Sequence, residues 1–512
     1  MNGLDTVDFQ PPSCFESGEM ERKEMKQNGM QLRHPGVFDV LVIGAGIVGS
    51  MVARELSRYE GRIGLIDKEP FPGSGVSKAG ASLIHSPVMC PPGTLKGELC
   101  QGAPLRYKKL ADELDVGSRE MDELFVALDP SQVTNLENLR KRGAAHGMTS
   151  LEMIGPEKIR ELEPLISPKA VAALYIRGLL AVYPPEWAFA LTENARENGV
   201  ELHLKTAVTG ITKNGKFDYA VRTDQGIFST RRIINAAGLF ADEIAAMVGD
   251  DGIHLILTKG TMAILEKSAS PLVHHAVYGT LSNTHSQLLT PTAHGNLLVG
   301  LGHFTTPRHK QDTFVTREKV EEVLGMGQGL VPTLSESRVI SAFAGIRSEN
   351  SKASQGDFYI DHSAKAPGVI HTFIGSPGLT AAPAIAGLLI KMIADTGMVL
   401  AEKTSFQKER RSWFRFSEGS FEKRKEVISS SPRYGRIVCR CEQVAEGEIL
   451  EAIGRGADTL DGIKHATRAG MGCCQGGFCG LPLVNLLAAR LNIRPDRVTK
   501  KGGESFQVTG PA

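Results

Sequence analysis

A glycine loop near the start of the chain constrains the fold more than any other feature. Residues 38–43 (FDVLVI) form an apolar run typical of a buried parallel strand, and Gly44, Gly46 and Gly49 follow it in GxGxxG spacing. A helical stretch and a second apolar strand follow, and that strand ends at Asp67. Such glycines let a pyrophosphate approach a helix N-terminus, and the acid can accept hydrogen bonds from ribose hydroxyls. The unit predicts dinucleotide binding, although the glycines alone would also suit tight helix packing.

Four cysteines near the other end of the chain indicate a second redox centre. They form a CxC pair and a Cx4C pair separated by 32 residues: Cys439, Cys441, Cys474 and Cys479. Four thiolates can hold a [2Fe-2S] cluster, whereas structural zinc sites usually place about two to four residues between paired ligands, so the CxC pair favours iron. Structural zinc remains the alternative. Cys473 is an additional cysteine, and a free thiol is its simplest role.

Composition and charge restrict the class of function. The chain has 512 residues, 41% of them hydrophobic, and a net charge of only +1 at pH 7. This length suits two or three globular domains, and the charge lacks the basic footprint of a nucleic-acid-binding protein. Five of the eight cysteines lie between residues 439 and 479, which does not suit an extracellular disulfide framework. We therefore expect a cytoplasmic protein that binds no nucleic acid.

No stretch of the sequence is typical of a transmembrane helix. The most apolar late segment, residues 379–390, contains Pro383 and Gly387 and ends at Lys391, short of the ~20 residues that a span requires. Residues 1–36 carry acidic residues and no apolar core, so we expect a flexible extension and not a targeting peptide. At most, peripheral contact with the inner face of the cell membrane is expected.

Apolar runs and chain breakers predict how the middle of the chain is divided. Residues 252–316 contain short apolar strands punctuated by Gly, Pro, Asn and His, which predicts an antiparallel sheet beside the substrate. A glycine and proline turn at 375–387 leads into an apolar helix whose first amides suit an electron-rich ring or an anion. We expect dinucleotide-binding segments at about 37–95, 186–250 and 335–400, and substrate-domain segments at about 96–185 and 251–334.

The last quarter of the chain begins with a basic segment. Residues 401–436 carry ten Lys or Arg against five Glu, with aromatic residues interspersed. We predict a solvated linker here, and docking of an acidic partner is the alternative. A small cysteine-containing domain at 437–490 and a tail at 491–512 follow.

Several motifs resemble one family of flavoenzymes. They are DVLVIGAGIVG at 39–49, SKAGASLIHS at 77–86, PPGTLK at 91–96, INAAGLFAD at 234–242, LLTPTAHGNLLVG at 288–300, AGIR at 344–347 and GSPGLTAAPAIA at 375–386. Over residues 37–400 the chain resembles the FAD-dependent family of glycerol-3-phosphate dehydrogenases, 2-hydroxyglutarate oxidases and D-amino-acid-oxidase-like enzymes. CRCEQVAEGEI at 439–449 and TRAGMGCCQGGFC at 467–479 resemble the bacterioferritin-associated-ferredoxin-like [2Fe-2S] module of anaerobic glycerol-3-phosphate dehydrogenase.

The resemblance implies an α/β protein: a Rossmann-like FAD-binding domain with an inserted antiparallel-sheet substrate domain, plus a small helical C-terminal [2Fe-2S]-binding domain. The resemblance also implies FAD in an extended conformation. Its pyrophosphate would be held by Gly44, Ala45, Gly46, Ile47, Val48 and Gly49, with Ser77, Lys78 and Ala79 nearby. Asp67 would bind the ribose with Lys68 beside it, Val208 would contact the adenine, Ala237 and Gly238 would flank the cofactor, and Gly378, Leu379 and Thr380 would lie at the flavin ring. Relatives often carry Asn and Ser where this chain has Gly80 and Ala81, so side-chain hydrogen bonds are not expected there.

Arg347 and His85 are the candidate catalytic residues. Oxidation of a carbinol or amine C–H by a flavin needs a base for the proton and a cation to orient an anionic substrate. Arg347 resembles the family's substrate-anchoring arginine, and its planar fork suits a carboxylate or phosphate; a structural ion pair is the alternative. The imidazole of His85 suits a base near neutral pH, with a hydrogen-bonded core histidine as the alternative. Lys259, His294 and His303 are weaker candidates.

These features predict a flavin-dependent dehydrogenase that oxidises a small anionic hydroxy compound. The expected reaction converts sn-glycerol 3-phosphate into dihydroxyacetone phosphate, and the cluster passes single electrons to a carrier such as an iron-sulfur or quinone-linked subunit. One alternative is a dehydrogenase of 2-hydroxy acids, such as 2-hydroxyglutarate, or of amino acids. Another is an electron-transfer or scaffold subunit whose flavin pocket does not turn over substrate.

Overall fold

Three larger sheets and a small C-terminal unit organise the chain in a computed structural model. The structure describes residues 32–215, 218–281 and 285–508. The expected N-terminal extension, residues 1–36, therefore lies almost wholly outside the described residues, as do the last four residues of the tail.

The six-stranded sheet contains the strand that precedes the glycine loop. Its strands lie in the order Tyr359–His362, Val369–Phe373, Ile233–Asn235, Val40–Ile43, Ile63–Ile66 and Glu201–His203. Neighbouring strands run parallel, apart from the antiparallel pair at the Tyr359–His362 edge. Val40–Ile43 is fully buried, as expected for a parallel strand covered on both faces. The predicted Rossmann-like sheet is confirmed.

Helices cover one face of the six-stranded sheet, and a second sheet covers the other. The helical face shares one core with Ile47–Leu56, Leu95–Cys100, Ala103–Leu114, Pro184–Glu197 and Gly378–Asp395. Two of these helices meet through Tyr107 and Trp187, whose ring centroids are 4.9 Å apart. The other face packs against the four-stranded sheet, with strands in the order Leu32–Phe38, Gly226–Thr230, Asp218–Thr223 and Val208–Asn214.

The nine-stranded sheet forms the second wall of the molecule. Its strands lie in the order Val339–Asn350, Leu255–Leu265, Leu297–Thr305, His285–Pro291, Ala276–Leu281, Ser118–Ala127, Ala172–Val182 and Leu83–Ile84, with Leu151–Ile154 paired to Ala172–Val182. Its strand pairs are antiparallel, except that Ala276–Leu281 and Ser118–Ala127 run parallel. The helix Arg317–Leu330 packs on one face. This sheet is the predicted inserted, sheet-rich substrate domain.

Shorter elements connect these layers. The remaining α-helices in this part are Val133–Ala145, Pro156–Leu162 and Ala241–Ala246. Short segments of 3-10 helix occur at Val76–Ala79, Pro87–Met89, Pro130–Gln132, Gly238–Phe240, Lys267–Leu272, Glu336–Arg338 and Ser354–Gly356.

The two walls exchange segments more often than the sequence boundaries suggest. The strands Leu83–Ile84 and Val339–Asn350 belong to the nine-stranded sheet, although they fall in segments expected to bind the dinucleotide. Conversely, the helices Leu95–Cys100 and Ala103–Leu114 pack in the core of the six-stranded sheet. Their fully buried Tyr107 explains this placement, because its ring lies against a helix of that core.

The first half of the basic segment packs on the dinucleotide-binding domain. Glu402 forms an isolated β-bridge with Tyr59. The carbonyl of Gln407 accepts a hydrogen bond of 2.9 Å from the side-chain amide of Asn194. The guanidinium of Arg410, 3% exposed, donates to Glu193 at 2.7 Å. Part of the excess positive charge is therefore neutralised within the fold, and the segment includes a helix, Phe421–Ser430.

The C-terminal unit is small and mainly helical. Its helices are Glu446–Gly454, Leu460–Thr467 and Gly480–Leu491, with a two-stranded sheet of Ile437–Cys439 and Val444–Ala445 and 3-10 turns at Phe416–Glu418, Pro432–Gly435 and Pro495–Arg497. Its core also includes Phe71, Phe189 and Trp413 from outside the unit. Phe71 and Phe189 stack at 5.1 Å between centroids. The unit is thus packed against the dinucleotide-binding domain.

One helix in the described part of the chain, Gly378–Asp395, is long and apolar enough to cross a membrane by length and composition. It has 18 residues and continues beyond the apolar stretch recognised in the sequence. Ala381, Ile385 and Leu389 are fully buried in the core of the six-stranded sheet. These contacts are those of a core helix.

Candidate functional site

The glycine loop turns tightly between the strand Val40–Ile43 and the helix Ile47–Leu56. A Cβ atom on Gly49 would lie 1.8 Å from the carbonyl oxygen of Gly44, so no side chain fits there. The amide of Ile47 donates to the hydroxyl oxygen of Ser77 at 3.0 Å. This contact joins two segments expected at the pyrophosphate, 30 residues apart, at the N-terminus of one helix. The backbone cradle fits a dinucleotide.

Asp67 lies at the end of the strand Ile63–Ile66, next to the loop. Its carboxylate accepts hydrogen bonds from the amides of Ala45 at 2.6 Å and Glu69 at 2.8 Å. Burial raises the pKa of Asp67 to about 6. Its backbone carbonyl accepts from the amide of Thr206 at 2.8 Å, which brings the segment leading to Val208 to the same end of the site.

Two lysines predicted at the cofactor differ in their surroundings. The Nζ atom of Lys68 lies 3.2 Å from the ring centroid of Phe240, and burial lowers its pKa. Lys78 is exposed beside the C-terminal unit. Burial, together with the charges of Lys78 and Lys464, lowers the pKa of His465 in that unit to about 3. Lys78 therefore stands where the cofactor loop meets the C-terminal unit.

A cavity of about 650 Å³ lies between the six-stranded and nine-stranded sheets. Among the predicted site residues, its lining includes Gly46, Ile47, Val48, Ser77, Ala79, His85, Gly238, Arg347, Gly378, Leu379 and Thr380. The other predicted cofactor residues, Gly44, Ala45, Gly49, Asp67, Lys68, Lys78, Val208 and Ala237, do not line it. The predicted flavin-ring residues line the cavity and the predicted ribose and adenine residues lie outside it, whereas the predicted pyrophosphate residues are divided between the two groups.

The strand Val339–Asn350 carries Arg347 to the cavity. This strand passes close to the turn that follows Ser77, because a Cβ atom on Gly345 would lie 2.1 Å from the carbonyl oxygen of Ala79. The guanidinium carbon of Arg347 lies 5.0 Å from the ring centroid of Phe304. Burial lowers the pKa of Arg347. In the described ranges Arg347 has no carboxylate partner, so its charge remains available to an anion.

His85 follows the short strand Leu83–Ile84 and reaches the same cavity. Its amide donates to the hydroxyl oxygen of Thr380 at 3.1 Å, which fixes it against the predicted flavin-ring loop. Its Nδ1 atom lies 3.0 Å from the hydroxyl of Tyr278. Burial, and to a lesser extent the charge of Arg347, lowers the pKa of His85 to about 4. The imidazole is therefore neutral at pH 7 and able to accept a proton.

Sequence reasoning missed Tyr278 and Phe125, which line the cavity, and Glu123, which lies on the strand of Phe125. The rings of Tyr278 and Phe125 stack, with centroids 4.6 Å apart and planes inclined by 11°. Glu123 is 1% exposed, and burial raises its pKa to about 7. Its Oε1 atom accepts from the amide of Ser86 at 3.3 Å. These residues belong to ordinary apolar strands, and no motif or spacing distinguishes them.

The weaker candidates of the sequence lie outside the cavity lining. The Nζ atom of Lys259 lies 3.2 Å from a carboxylate oxygen of Asp312. Ring nitrogens of the two histidines lie near carboxylates: His294 is 3.2 Å from Glu186 and His303 is 3.1 Å from Glu322. Each side chain is thus engaged by an acidic partner, as is typical of structural ion pairs.

The four predicted metal ligands come together at one edge of the C-terminal unit. The sulfur atoms of Cys441 and Cys474 are 3.6 Å apart. Hydrogen bonds from the thiol of Cys479 and from the amides of Gly470 and Glu442 lower the pKa of Cys439. Backbone amides, that of Phe478 above all, lower the pKa of Cys474. Amide donors around thiolates are the environment that iron-sulfur clusters use.

The cysteines at this edge of the C-terminal unit differ in burial. Cys439 and Cys479 are buried, Cys441 and Cys474 are half-buried, and Cys473 is exposed. Cys473 also lies 3.6 Å from Cys441, so distance alone does not separate it from the four ligands.

Ion pairs fix the cluster edge to the rest of the protein. Glu442, next to Cys441, is 3.0 Å from Lys267 and 2.9 Å from Arg468. Arg468 also donates to the side-chain oxygen of Asn296 at 3.2 Å. The sulfur-containing edge is thereby anchored to the segment around the nine-stranded sheet.

Comparison with known proteins assigns both parts of the chain. Residues 39–392 match the FAD dependent oxidoreductase family, and residues 437–489 match the BFD-like [2Fe-2S] binding domain. The chain is 36% identical over 479 residues to a glycerol 3-phosphate dehydrogenase of Caloramator mitchellensis, covering 93% of this chain and 99% of the relative. It is 28% identical to a glycerol 3-phosphate oxidase of Mycoplasma pneumoniae, covering 69% of this chain and 94% of the relative.

A solved structure shows the same architecture. The dithionite-reduced L-alpha-glycerophosphate oxidase of Mycoplasma pneumoniae with FAD bound superposes with a TM-score of 0.70 at 26% identity, covering 74% of this chain and 100% of the other. The glycine cradle and the cysteine cluster described above fit the cofactors of the two matched families. The chain therefore belongs to the FAD-dependent oxidoreductase family, as a glycerol-3-phosphate-dehydrogenase-like enzyme with a C-terminal BFD-like [2Fe-2S] binding domain.

Proposed function

We propose that this enzyme oxidises sn-glycerol 3-phosphate to dihydroxyacetone phosphate and passes the electrons through the [2Fe-2S] cluster to a carrier. One observation carries the proposal: a cation without a carboxylate partner in the described ranges, Arg347, and a neutral imidazole, His85, line one cavity beside the predicted flavin-ring loop. Glycerol 3-phosphate dehydrogenase and oxidase are also the activities named for the relatives above.

Arg347 is proposed to anchor the substrate anion. Its planar guanidinium can form two parallel hydrogen bonds with phosphate oxygens, and its half-buried position strengthens them. Arg142 lies exposed on the cavity lining and also has no ion-pair partner among the described residues. Two cations on one cavity suit a phosphate monoester, which carries about −1.5 to −2 charges at pH 7, better than a single carboxylate.

His85 is proposed to take the proton of the substrate hydroxyl. FAD, when bound, supplies the acceptor for the hydride that leaves the same carbinol carbon. The hydroxyl proton needs a neutral base within hydrogen-bond reach, and His85 stays neutral across physiological pH.

The reaction is tested by following the flavin spectrum under anaerobic conditions. Addition of sn-glycerol 3-phosphate to the purified holoenzyme is expected to bleach the flavin absorbance within a catalytic turnover. L-2-hydroxyglutarate and amino acids are expected to leave the flavin oxidised. Bleaching by one of these compounds, with an oxidised flavin in glycerol 3-phosphate, would assign the enzyme to the alternative dehydrogenase class. No bleaching by any of them would favour a scaffold or electron-transfer subunit.

Replacement of Arg347 by glutamine is expected to lower kcat/KM for sn-glycerol 3-phosphate by about 10- to 100-fold, mainly through KM. A hydrogen bond between charged groups contributes about 1.5–3 kcal/mol, and glutamine removes the charge while keeping a polar side chain. Steady-state kinetics with a soluble dye acceptor measure this loss. The matched control is Arg177→Gln, because Arg177 lies on the nine-stranded sheet with its side chain 65% exposed beside Glu152. Equal kinetics for Arg347→Gln and the parent would refute the anchoring role.

The path of the electrons is proposed on chemical grounds. The two-electron oxidation must be converted into single-electron steps if the carrier is an iron-sulfur or quinone-linked subunit, and a [2Fe-2S] cluster, when present, supplies that conversion. We also propose a cytoplasmic enzyme, with at most peripheral contact at the inner face of the membrane, because five of the eight cysteines cluster between residues 439 and 479, as metal ligands do, and are not spread through the chain as a disulfide framework would be.

A further inference from the structure

Two buried side chains beside His85 are not used by the proposed chemistry. Tyr278 is 3% exposed, and its hydroxyl lies 3.0 Å from Nδ1 of His85. Glu123 is 1% exposed, and its Oε2 atom is buried without a hydrogen-bond partner in the described part of the chain. A buried carboxyl oxygen without a partner is costly, so its retention calls for a role.

The hydrogen bond at Nδ1 decides whether His85 can act as a base. A neutral imidazole carries one proton, and the nitrogen without the proton holds the lone pair. If the hydroxyl of Tyr278 donates to Nδ1, the proton sits on Nε2, and Nε2 cannot accept another. If Nδ1–H donates to the hydroxyl oxygen, Nε2 keeps its lone pair. One rotation of a hydroxyl group therefore separates a competent base from an incompetent one.

Tyr278 has little freedom other than this rotation. Its ring is stacked on Phe125 at 4.6 Å, and its strand pairs with the strand of Phe125. Glu123 lies on that neighbouring strand, opposite Ala276. Burial, and to a lesser extent the negative charge of Glu123, raises the pKa of the Tyr278 phenol well above its usual value. The same field draws the hydroxyl hydrogen toward Glu123 and leaves the oxygen lone pairs to His85.

We propose that Tyr278 is a positioning residue that accepts a hydrogen bond from Nδ1–H of His85, and that Glu123 orients the hydroxyl for this purpose. The proposal rests on the proposed role of His85 as the base. During turnover the substrate hydroxyl would give its proton to Nε2 while a C=O bond forms and the carbinol C–H bond breaks, and FAD, when bound beside residues 378–380, would supply the acceptor for the hydride. The proton on Nδ1 stays in the hydrogen bond with Tyr278, which stabilises the resulting imidazolium.

The first test is Tyr278→Phe in the holoenzyme, which removes one oxygen atom and keeps the stacked ring. We expect kcat to fall about 10- to 100-fold with little change in KM, because a tautomer unable to accept the proton becomes populated. The solvent deuterium isotope effect on flavin reduction should increase as proton transfer becomes limiting. Tyr175→Phe is the matched control, since the hydroxyl of Tyr175 donates to Asp122 at 2.5 Å on the same sheet. The control should keep both values.

The tautomer itself gives a readout that a purely structural role would not change. In holoenzyme with 15N-labelled histidine, the ring nitrogen signals of His85 are assigned by their loss in His85→Gln. We expect the proton on Nδ1 in the parent enzyme and a mixture of tautomers in Tyr278→Phe. A proton on Nε2 of the parent enzyme would overturn the proposal.

The role of Glu123 predicts a pH dependence of kcat. The titratable groups around it are Asp122 on its own strand, and His85 and Tyr278 on the neighbouring elements, while Arg347 acts on His85. The field on the hydroxyl requires the ionised carboxylate, so kcat should rise as the pH increases through about 7. Glu123→Gln should remove this rise and hold kcat near its low-pH value.

The outcomes separate this inference from the proposed function. Loss of turnover in His85→Gln together with unchanged kcat, isotope effect and tautomer in Tyr278→Phe would refute the positioning role and leave the base in place. Full turnover in His85→Gln would instead refute the base. A pH rise that persists in Glu123→Gln would refute the role of Glu123.

Discussion

Replacement of His85 by asparagine is expected to lower the rate of flavin reduction by sn-glycerol 3-phosphate by about 10²- to 10⁴-fold. Asparagine keeps a polar side chain of similar reach, but it cannot take up the hydroxyl proton. Substrate binding should change little, because the proposed anion anchor is Arg347 and the cavity lining is otherwise unchanged. Stopped-flow absorbance of the flavin, measured anaerobically over a range of substrate concentrations, gives both the limiting rate and the apparent affinity.

The control for this substitution is His303→Asn. His303 lies on the nine-stranded sheet, its side chain is 56% exposed, and it does not line the cavity. It should keep the parent rate. A rate for His85→Asn within a factor of two or three of the parent would show that another group takes the proton, since loss of a general base costs about 10²-fold or more.

The electrostatics of His85 also fix the sign of its pH dependence. A base must be neutral to accept a proton, so the rate is present above its pKa and is lost as the pH falls through it. Burial and, to a lesser extent, the charge of Arg347 lower that pKa to about 4. Neutralisation of Arg347 by the substrate anion removes one of the two causes and leaves burial. The contribution of His85 to the rate should therefore be constant above about pH 6. The substrate phosphate has its own second pKa at about 6, so a rise in kcat near pH 7 at saturating substrate is assigned to Glu123 when it disappears in Glu123→Gln.

The sequence predicted those parts of the site that depend on backbone geometry. Only glycine is tolerated at position 49, because a Cβ atom there would lie 1.8 Å from a backbone oxygen. The loop can therefore be recognised in the sequence by the spacing of its glycines. The same holds for the paired cysteines, whose ligand chemistry restricts residue type. Such constraints act on neighbouring residues in the chain and therefore appear as motifs.

The part that the sequence did not reveal depends on side chains brought together from distant strands. Tyr278 reaches His85 across 193 positions of the chain, and Glu123 becomes unusual only because folding buries it beside that pair. Conversely, Lys259 carries a suitable charge on a suitable sheet, yet Asp312 lies 3.2 Å away and occupies it. Residue type indicates what a side chain is able to do, whereas partners and burial decide whether it does so.

The exchange of segments between the two sheets has the same origin. From its position in the chain, the strand Val339–Asn350 is expected in the dinucleotide-binding domain. Its pairing with Leu255–Leu265 instead places it in the nine-stranded sheet. Strand pairing over such separations is set by tertiary packing, which local periodicity does not encode. This exchange is what brings Arg347 to the cavity between the sheets.

Replacement of Cys474 by alanine is expected to remove the cluster and leave flavin reduction intact. Alanine supplies no thiolate, and a [2Fe-2S] cluster needs all four ligands. Iron and acid-labile sulfide should fall from about two of each per chain to near zero. The limiting rate of flavin reduction by sn-glycerol 3-phosphate should stay near that of the parent, because His85 and Arg347 lie in a separate cavity.

Cys473→Ala is the matched control, because this thiol lies at the same distance of 3.6 Å from the sulfur of Cys441 and is more exposed. It should keep iron, sulfide and the visible spectrum of the cluster. If the cluster is lost in Cys473→Ala and kept in Cys474→Ala, then Cys473 is the ligand and Cys474 is the free thiol. If metal analysis of the parent protein finds zinc and no acid-labile sulfide, the four cysteines hold a structural zinc ion and not a cluster.

Cys474 is the informative ligand because it tests electron transfer without opening the core. Cys439 and Cys479 are 1% exposed, so their truncation would also disturb the apolar core that they share with Phe71 and Trp413. Half-buried Cys474 avoids this cost. When substrate is added in less than stoichiometric amounts, the electrons in the parent enzyme should divide between flavin and cluster. The amount of flavin reduced should then be smaller than the amount of substrate oxidised. In Cys474→Ala every substrate oxidised should appear as reduced flavin, and equal bleaching in the two proteins would exclude transfer from flavin to cluster.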